Sequence, residues 1–338
     1  MTWLVTGGAG YIGAHVVRAL AEADLATVVV DDLSSGHRDF VPKGVHFVGG
    51  SILDGAMLLR TLSDHQVTGV IHVAGFKYAS VSVQRPLHTY EQNVDGTTVL
   101  LAAMQEAGVD RMVFSSSAAV YGTPDVDLVT EDTAKAPQSP YGETKLIGEW
   151  LLRDQAIAVG LRHTSLRYFN VVGSGYPDVY DTSPHNLFPL VFEALRSGRT
   201  PKIFGDGYPT PDGTNVRDYV HVSDVAAAHV AAARRLDAGE ALEAAYNLGS
   251  GEGLSVKQIM DAMARVTGIA FVPEIAAPRP GDPPRIVAGG RLAARDLDWR
   301  MRHSLDEMVS SAWTAVLASD PDGASRHADG GEEISSAT

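Results

Sequence analysis

Three glycines, Gly7, Gly10 and Gly13, stand in the run VTGGAGYIG directly behind an apolar segment at residues 3–6. This register constrains the fold more than any other feature of the chain. The first glycine permits a tight turn. The second lets backbone approach a pyrophosphate, and the third lets the following helix pack closely. A pyrophosphate would rest on that helix's N-terminus, where unpaired N–H groups face it. Glycines also make ordinary turns. Three of them between a strand pattern and a helical one point instead to a dinucleotide loop.

The rest of the first half agrees. Apolar runs at residues 3–6, 28–31, 46–49, 69–75 and 111–117 alternate with helical patterns at 11–23, 56–62 and 90–107. Short apolar strands separated by helices imply parallel βαβ units. The expected fold is α/β: a Rossmann-type, doubly wound parallel sheet with a smaller mixed α/β substrate domain. Such sheets bind ligands outside the carboxyl ends of their strands. Residues 1–175 read as the nucleotide-binding domain, with elements returning to it around 215–245. Residues 176–214 and 246–318 read as the smaller domain. The stretch after Tyr168 reads as a long loop, and helices are expected at 187–195 and 222–235. The tail, 319–338, has almost no apolar content and reads as disordered.

Asp31 ends the second strand pattern. A carboxylate there can accept hydrogen bonds from the adenosine ribose and would repel a phosphate, so NAD is favoured over NADP. Asp32 could share the role, and Arg38 is the one nearby cation that speaks for the phosphorylated cofactor.

A second constellation follows in the stretch SPYGETK. Pro140 can open a helix because its missing N–H costs nothing in the first turn. Tyr141 and Lys145 then lie one turn apart on one face. A tyrosine four residues before a lysine arises by chance in many chains. Behind a dinucleotide loop it reads as the proton-handling centre of a redox enzyme. A phenol has a pKa near ~10 and is a poor base at neutral pH. A nearby ammonium and an oxidised nicotinamide both favour the phenolate. Ser115, Ser116 and Ser117 end the preceding strand, and Ser117 is the best placed to bridge substrate and Tyr141. Tyr121 has no lysine four residues on and reads as pocket wall or support.

Composition narrows the classes. The chain of 338 residues contains no cysteine, which excludes disulfides and thiolate chemistry and fits a cytoplasmic enzyme. It has no run of eighteen apolar residues, and its N-terminus enters a strand pattern at once, so neither membrane span nor secretory leader is expected. A formal charge of -14 makes it a poor nucleic-acid binder.

TGGAGYIG, HVAGFK, SSSAAVYG, SPYGETK, LRYFN, RDYVHVSD and YNLGSGEG together resemble the UDP-glucose 4-epimerases of the extended short-chain dehydrogenase/reductase family. The resemblance runs to about residue 318. It implies a tightly held NAD, a UDP-sugar substrate and a homodimer. It implies a cofactor site of Gly7, Gly10, Tyr11, Ile12, Gly13, Asp31, Ser51, Ile52, Ala74, Lys77, Asn93, Ser115, Tyr141, Lys145 and Tyr168. Ser117 and Tyr141 would relay the proton and Lys145 would hold the nicotinamide ribose. Lys77 and Asn170 would contact the sugar nucleotide. Asn186 and Leu187 would begin the uridine contacts, Arg217 and Arg279 would clamp the diphosphate, and Asp282 would face the uridine ribose. The implied reaction is reversible. Hydride passes from C4 to the cofactor, the 4-keto sugar turns over in the pocket, and hydride returns to its other face.

The chain departs from the family pattern at Ser51, where an adenine-binding aspartate is common, and at Ala119 and Val171. Ile286 falls near a position that gates the hexose end, where a smaller side chain would leave room for an N-acetyl group. Rival chemistries are a 4,6-dehydratase, a 4-dehydrogenase or ketoreductase, and an epimerase for UDP-N-acetylhexosamines. Ala118 and Ala119 follow Ser117 and cannot supply the acid and base that elimination needs. A nonenzymatic nucleotide binder would have no need of Ser117, Tyr141 and Lys145 together.

Overall fold

The computed structural model of the chain describes residues 1–279 and 282–320. Its centre is a seven-stranded sheet whose neighbours all run parallel. Six strands, β1 (Thr2–Thr6), β2 (Ala26–Asp31), β3 (His46–Gly49), β4 (Gly69–His72), β5 (Arg111–Ser115) and β6 (Arg162–Tyr168), come in chain order, and Ala245–Leu248 joins the sheet beside β6. The spatial order is Ala245–Leu248, β6, β5, β4, β1, β2, β3. Strand order therefore reverses between β1 and β4, and a ligand crevice opens at such a reversal. Thr6 pairs with Val30 on one side and His72 on the other, so the carboxyl ends of β1, β2 and β4 are level there.

Alternation along β1 sends its side chains to two cores. Trp3 and Val5 pack with Val17, Leu20 and Val29 under the helices Tyr11–Glu22 and Val222–Asp237. Leu4 packs with Val28, Val70 and Met112 under the helices Gly55–Asp64 and Gly96–Ala107. Both faces are covered, which is why these strands read as nearly continuous apolar runs. A third core joins Phe188, Phe192, Ile259, Met263, Met308 and Val309 from the helices Leu187–Arg196, Val256–Thr267 and Leu305–Ser319. It flanks the carboxyl side of the sheet and supplies the far wall of the crevice.

Three expectations differ in detail. The stretch after Tyr168 contains a short strand, Asn170–Val172, paired in parallel with Tyr219–His221. Its length of only three residues, one break beyond β6, hides it from a periodicity argument. The elements returning to the main sheet run past 245 to Leu248, and Ala293, Leu297 and Trp299 also pack back on its core. The helical pattern at 90–107 begins with a π turn, Glu91–Asp95, which aims Asn93 inward. Ser319 closes the last helix. The expected disordered tail otherwise lies outside the described residues beyond Asp320. Among the described residues no helix is long and apolar enough to cross a membrane.

Candidate active site

The glycine loop is built by exclusion. Gly7 has φ +72, and a Cβ there would lie 2.7 Å from the Ala74 nitrogen. A Cβ on Gly13 would lie 2.0 Å from the Gly7 carbonyl oxygen, so the helix packs on the turn only with glycine. Gly10 is the N-cap of the Tyr11–Glu22 helix and provides no side-chain cap, which leaves first-turn N–H groups free to face an anion. Gly7, Gly10, Tyr11, Ile12 and Gly13 all line one cleft of about 1290 Å³. That exceeds the usual volume for one drug-sized ligand, roughly 300–1,000 Å³.

Asp31 lines the same cleft from the end of β2. Its carboxylate accepts N–H groups from Ala9 at 2.9 Å and Leu33 at 2.8 Å, which fixes it against the loop and leaves lone pairs for a ligand. Burial raises its pKa, and those two N–H donors pull the other way. Arg38 does not line the cleft. Its guanidinium lies over the Phe47 ring at 4.5 Å, so the cation that could have favoured a ribose phosphate is turned away. The loop and this carboxylate fit an unphosphorylated dinucleotide such as NAD.

The Pro140–Val159 helix positions the proton-handling residues. Ser139 caps it by accepting the Gly142 N–H at 3.2 Å, and Pro140 occupies its first turn. Tyr141, Lys145 and Glu149 follow at four-residue spacing and share a face. Lys145 is buried and donates to the Ser115 carbonyl at 2.9 Å. Burial lowers its pKa to about 8 against an opposing pull from Glu149. Burial raises the Tyr141 pKa and the nearby Ser117 hydroxyl offsets it only in part, so the protein's own groups do not make a phenolate at neutral pH. The ammonium of Lys145 lies 5.8 Å from the Tyr141 ring centroid. Lys145 directs an N–H at the Ser115 carbonyl, and of the two charges expected to favour the phenolate together the oxidised nicotinamide is the other.

Ser117, Tyr141, Lys145, Ile52, Ala74, Lys77 and Tyr168 line the cleft, as do Asn170, Asn186, Leu187, Arg217, Arg279 and Asp282. Ser51, Asn93 and Ser115 stand one layer behind it. Ser51 turns its hydroxyl to the Leu53 N–H at 3.2 Å, within its own turn. Asn93 accepts the Phe76 N–H at 2.6 Å and donates to the Phe76 carbonyl at 3.0 Å and to Thr144 at 2.9 Å. Ser115 is hydrogen-bonded to His229 at 2.9 Å. Ile286 also fails to line the cleft: it sits with Val120, Tyr121 and Leu146 behind Phe169, which does line it. Arg217 and Asp282, expected to meet different parts of a nucleotide, are ion-paired with each other. Arg279 lies over the Phe204 ring at 4.1 Å.

Several supporting residues escaped the sequence reading. Glu149 takes a bidentate pair from Arg167 at 2.8 and 2.6 Å and accepts the Ser116 hydroxyl at 2.6 Å. Tyr121, read from the sequence as pocket wall or support, accepts from Arg167 and donates to Asn247, each at 2.7 Å. The spacing 141, 145, 149 was the signal for Glu149. Asp181, also unremarked in the sequence, lines the cleft, accepts from Asn186 at 2.7 Å, and has its pKa raised by burial.

Comparison with known proteins agrees with this geometry. Residues 3–249 match the NAD dependent epimerase/dehydratase family. A UDP-glucose 4-epimerase of Azospirillum brasilense is 43% identical over 314 residues, 91% of this chain and 90% of that one. The crystal structure of UDP-glucose 4-epimerase from Brucella ovis in complex with NAD has a TM-score of 0.89 at 40% identity, covering 92% of this chain and 97% of that one. The UDP-glucose 4-epimerase from Bifidobacterium longum in complex with NAD+ and UDP has a TM-score of 0.87 at 34% identity, covering 96% and 100%. With a family match spanning most of its length, this chain belongs to the NAD-dependent epimerase/dehydratase family.

Proposed function

We propose that the protein interconverts UDP-glucose and UDP-galactose by reversible inversion at C4, using a resident NAD. The observation that carries the reading is one cleft with two chemistries. Ser117, Tyr141 and Lys145 line it together with the dinucleotide loop, and so do Arg217, Arg279 and Asp282. Gly7, Gly10, Gly13 and Asp31 would hold NAD, with Lys145 on its nicotinamide ribose. When bound, NAD supplies a hydride acceptor and donor together with a positive ring charge that favours a nearby phenolate.

The protein's own residues then handle the proton. Tyr141 accepts it from the sugar 4-hydroxyl, with Ser117 bridging the two oxygens, and returns it after the ketone has turned. Arginine forks suit diphosphate oxygens, so Arg217 and Arg279 anchor the nucleotide while the hexose stays free to rotate. Ala118 and Ala119 place no acid or base beside Ser117, which speaks against elimination.

The test is a small panel of UDP-sugars incubated without added NAD, with C4 inversion followed by NMR. Inversion of UDP-glucose and UDP-galactose is the expected result. Stoichiometric reduction of added NAD without inversion would mean a dehydrogenase instead.

A homodimer is part of the proposal. Leu87 is 84% exposed, Val83 61% and Trp150 47%, on or beside the Pro140–Val159 helix, and a second copy would cover them. Sedimentation at micromolar concentration should give twice the chain mass. A cytoplasmic site suits the cysteine-free chain, and cell fractionation would check it.

A further inference from the structure

Tyr78 and His185 meet across the cleft. Their rings are edge to face, 5.0 Å between centroids at 72°. Tyr78 belongs to the loop that follows β4. That loop is held from below by Asn93, which grips both backbone groups of Phe76. Phe76 in turn packs edge-on against Tyr78 at 5.6 Å and His88 at 5.2 Å. His185 belongs to the segment that enters the Leu187–Arg196 helix, whose Phe188 and Phe192 are in the third core. The contact therefore joins a braced strap of the nucleotide-binding half to the wall opposite. It is flanked on both sides by candidate substrate residues, Lys77 before Tyr78 and Asn186 after His185. Both rings line the cleft.

We propose that Tyr78 and His185 form an aromatic bridge that closes the cleft over a bound nucleotide sugar and retains the oxidised sugar until hydride returns. The inference rests on the epimerase reading. Between the two half-reactions the hexose is a neutral ketone with no covalent bond to protein. Its C4 hydride is on the coenzyme and its hydroxyl proton is on Tyr141. If the ketone leaves at this point, the enzyme is stranded with reduced coenzyme and cannot complete the cycle. Anchoring the diphosphate slows escape, and a bridge over the mouth slows it further without touching the rotating ring. An edge-to-face contact of this kind needs the Tyr78 ring and not its hydroxyl.

The experiment compares the full-length parent with Tyr78→Ala, His185→Ala, the double variant and Tyr78→Phe, each loaded with NAD. Two quantities are read: the release rate of UDP in stopped flow, and the absorbance of reduced coenzyme left after turnover of UDP-galactose. UDP release should accelerate about threefold to tenfold in each alanine variant, the worth of one aromatic pair. The double variant should add little beyond either single change. Reduced coenzyme should accumulate in all three, KM should rise more than kcat falls, and Tyr78→Phe should behave as the parent. Alanine variants with the parent's release rate and no stranded coenzyme would overturn the bridge. A parent that fails to invert C4 would overturn the epimerase reading instead, and UDP release from the same variants would still decide the bridge.

Discussion

In the proposed reaction Tyr141 and Lys145 would divide the work of one proton transfer, and their surroundings treat the two side chains unequally. Burial holds the phenol above its ordinary value, and the same burial takes the amine down to about 8. Tyr141→Phe should lower kcat by roughly 10²- to 10⁴-fold while leaving UDP affinity near the parent's, measured by steady-state kinetics and calorimetry. The sign of the pH effect follows from the lysine. Below about 8 the ammonium is present, and above it the charge is lost, so kcat should fall along an alkaline limb near that pH. A flat profile from pH 7 to 9.5 would show that the charge on Lys145 is not needed. At this scale the sequence disclosed three side chains that meet in one cleft, Ser117, Tyr141 and Lys145, because spacing and order are visible in letters. It did not disclose which groups face the cleft. Ser51 is lost to a hydrogen bond within its own turn, and Ser115 to the histidine behind it. The first contact is local, and the second depends on a helix that folds back from far along the chain.

Elements were legible in proportion to their burial. β1 to β6 and the helices that cover them carry strong periodicities because both sheet faces are packed. The three-residue strand Asn170–Val172 carries none, yet it pairs with Tyr219–His221 and so sets Asn170 opposite Tyr219, two residues beyond Arg217. The π turn at Glu91–Asp95 is equally silent in the sequence, although it aims the asparagine that braces the loop after β4. The turn between β1 and the Tyr11–Glu22 helix makes a sharper prediction. Gly13→Ala would drive a methyl into the Gly7 carbonyl, and such overpacking costs roughly 1–3 kcal/mol. Thermal unfolding should show a lower Tm, and added NAD should raise the variant's Tm by less than the parent's, because the shifted helix no longer offers its first N–H groups. A full NAD-induced rise would mean that the turn tolerates the methyl.

Taken whole, the molecule stores several neutral histidines. Burial lowers His15, His221 and His229 to about 4 and His72 to about 3, against 6.5 when exposed. A histidine whose pKa is depressed by folding contributes stability that is present above 6.5 and lost as pH falls toward the folded value, because the unfolded chain then binds more protons. Urea unfolding should therefore give a lower unfolding free energy, and a lower midpoint, at pH 5 than at pH 7, the free energy falling by on the order of 1–2 kcal/mol for each such histidine. Equal midpoints would mean that these side chains are hydrated in the native state.

The Arg217–Asp282 pair has a further consequence at this scale. An arginine already holding a carboxylate is not an open receptor. Asp282 behaves as a resident competitor, and a tethered partner acts at an effective concentration in the millimolar range for a short flexible link. Free phosphate or sulfate has to beat that competitor unaided. On the proposed assignment, a nucleotide seated by its base at Asn186 and Leu187 would bring its diphosphate to the guanidinium at a local concentration of its own. The pair would then act as a threshold, passing over stray anions and yielding to one delivered on a scaffold of the right length.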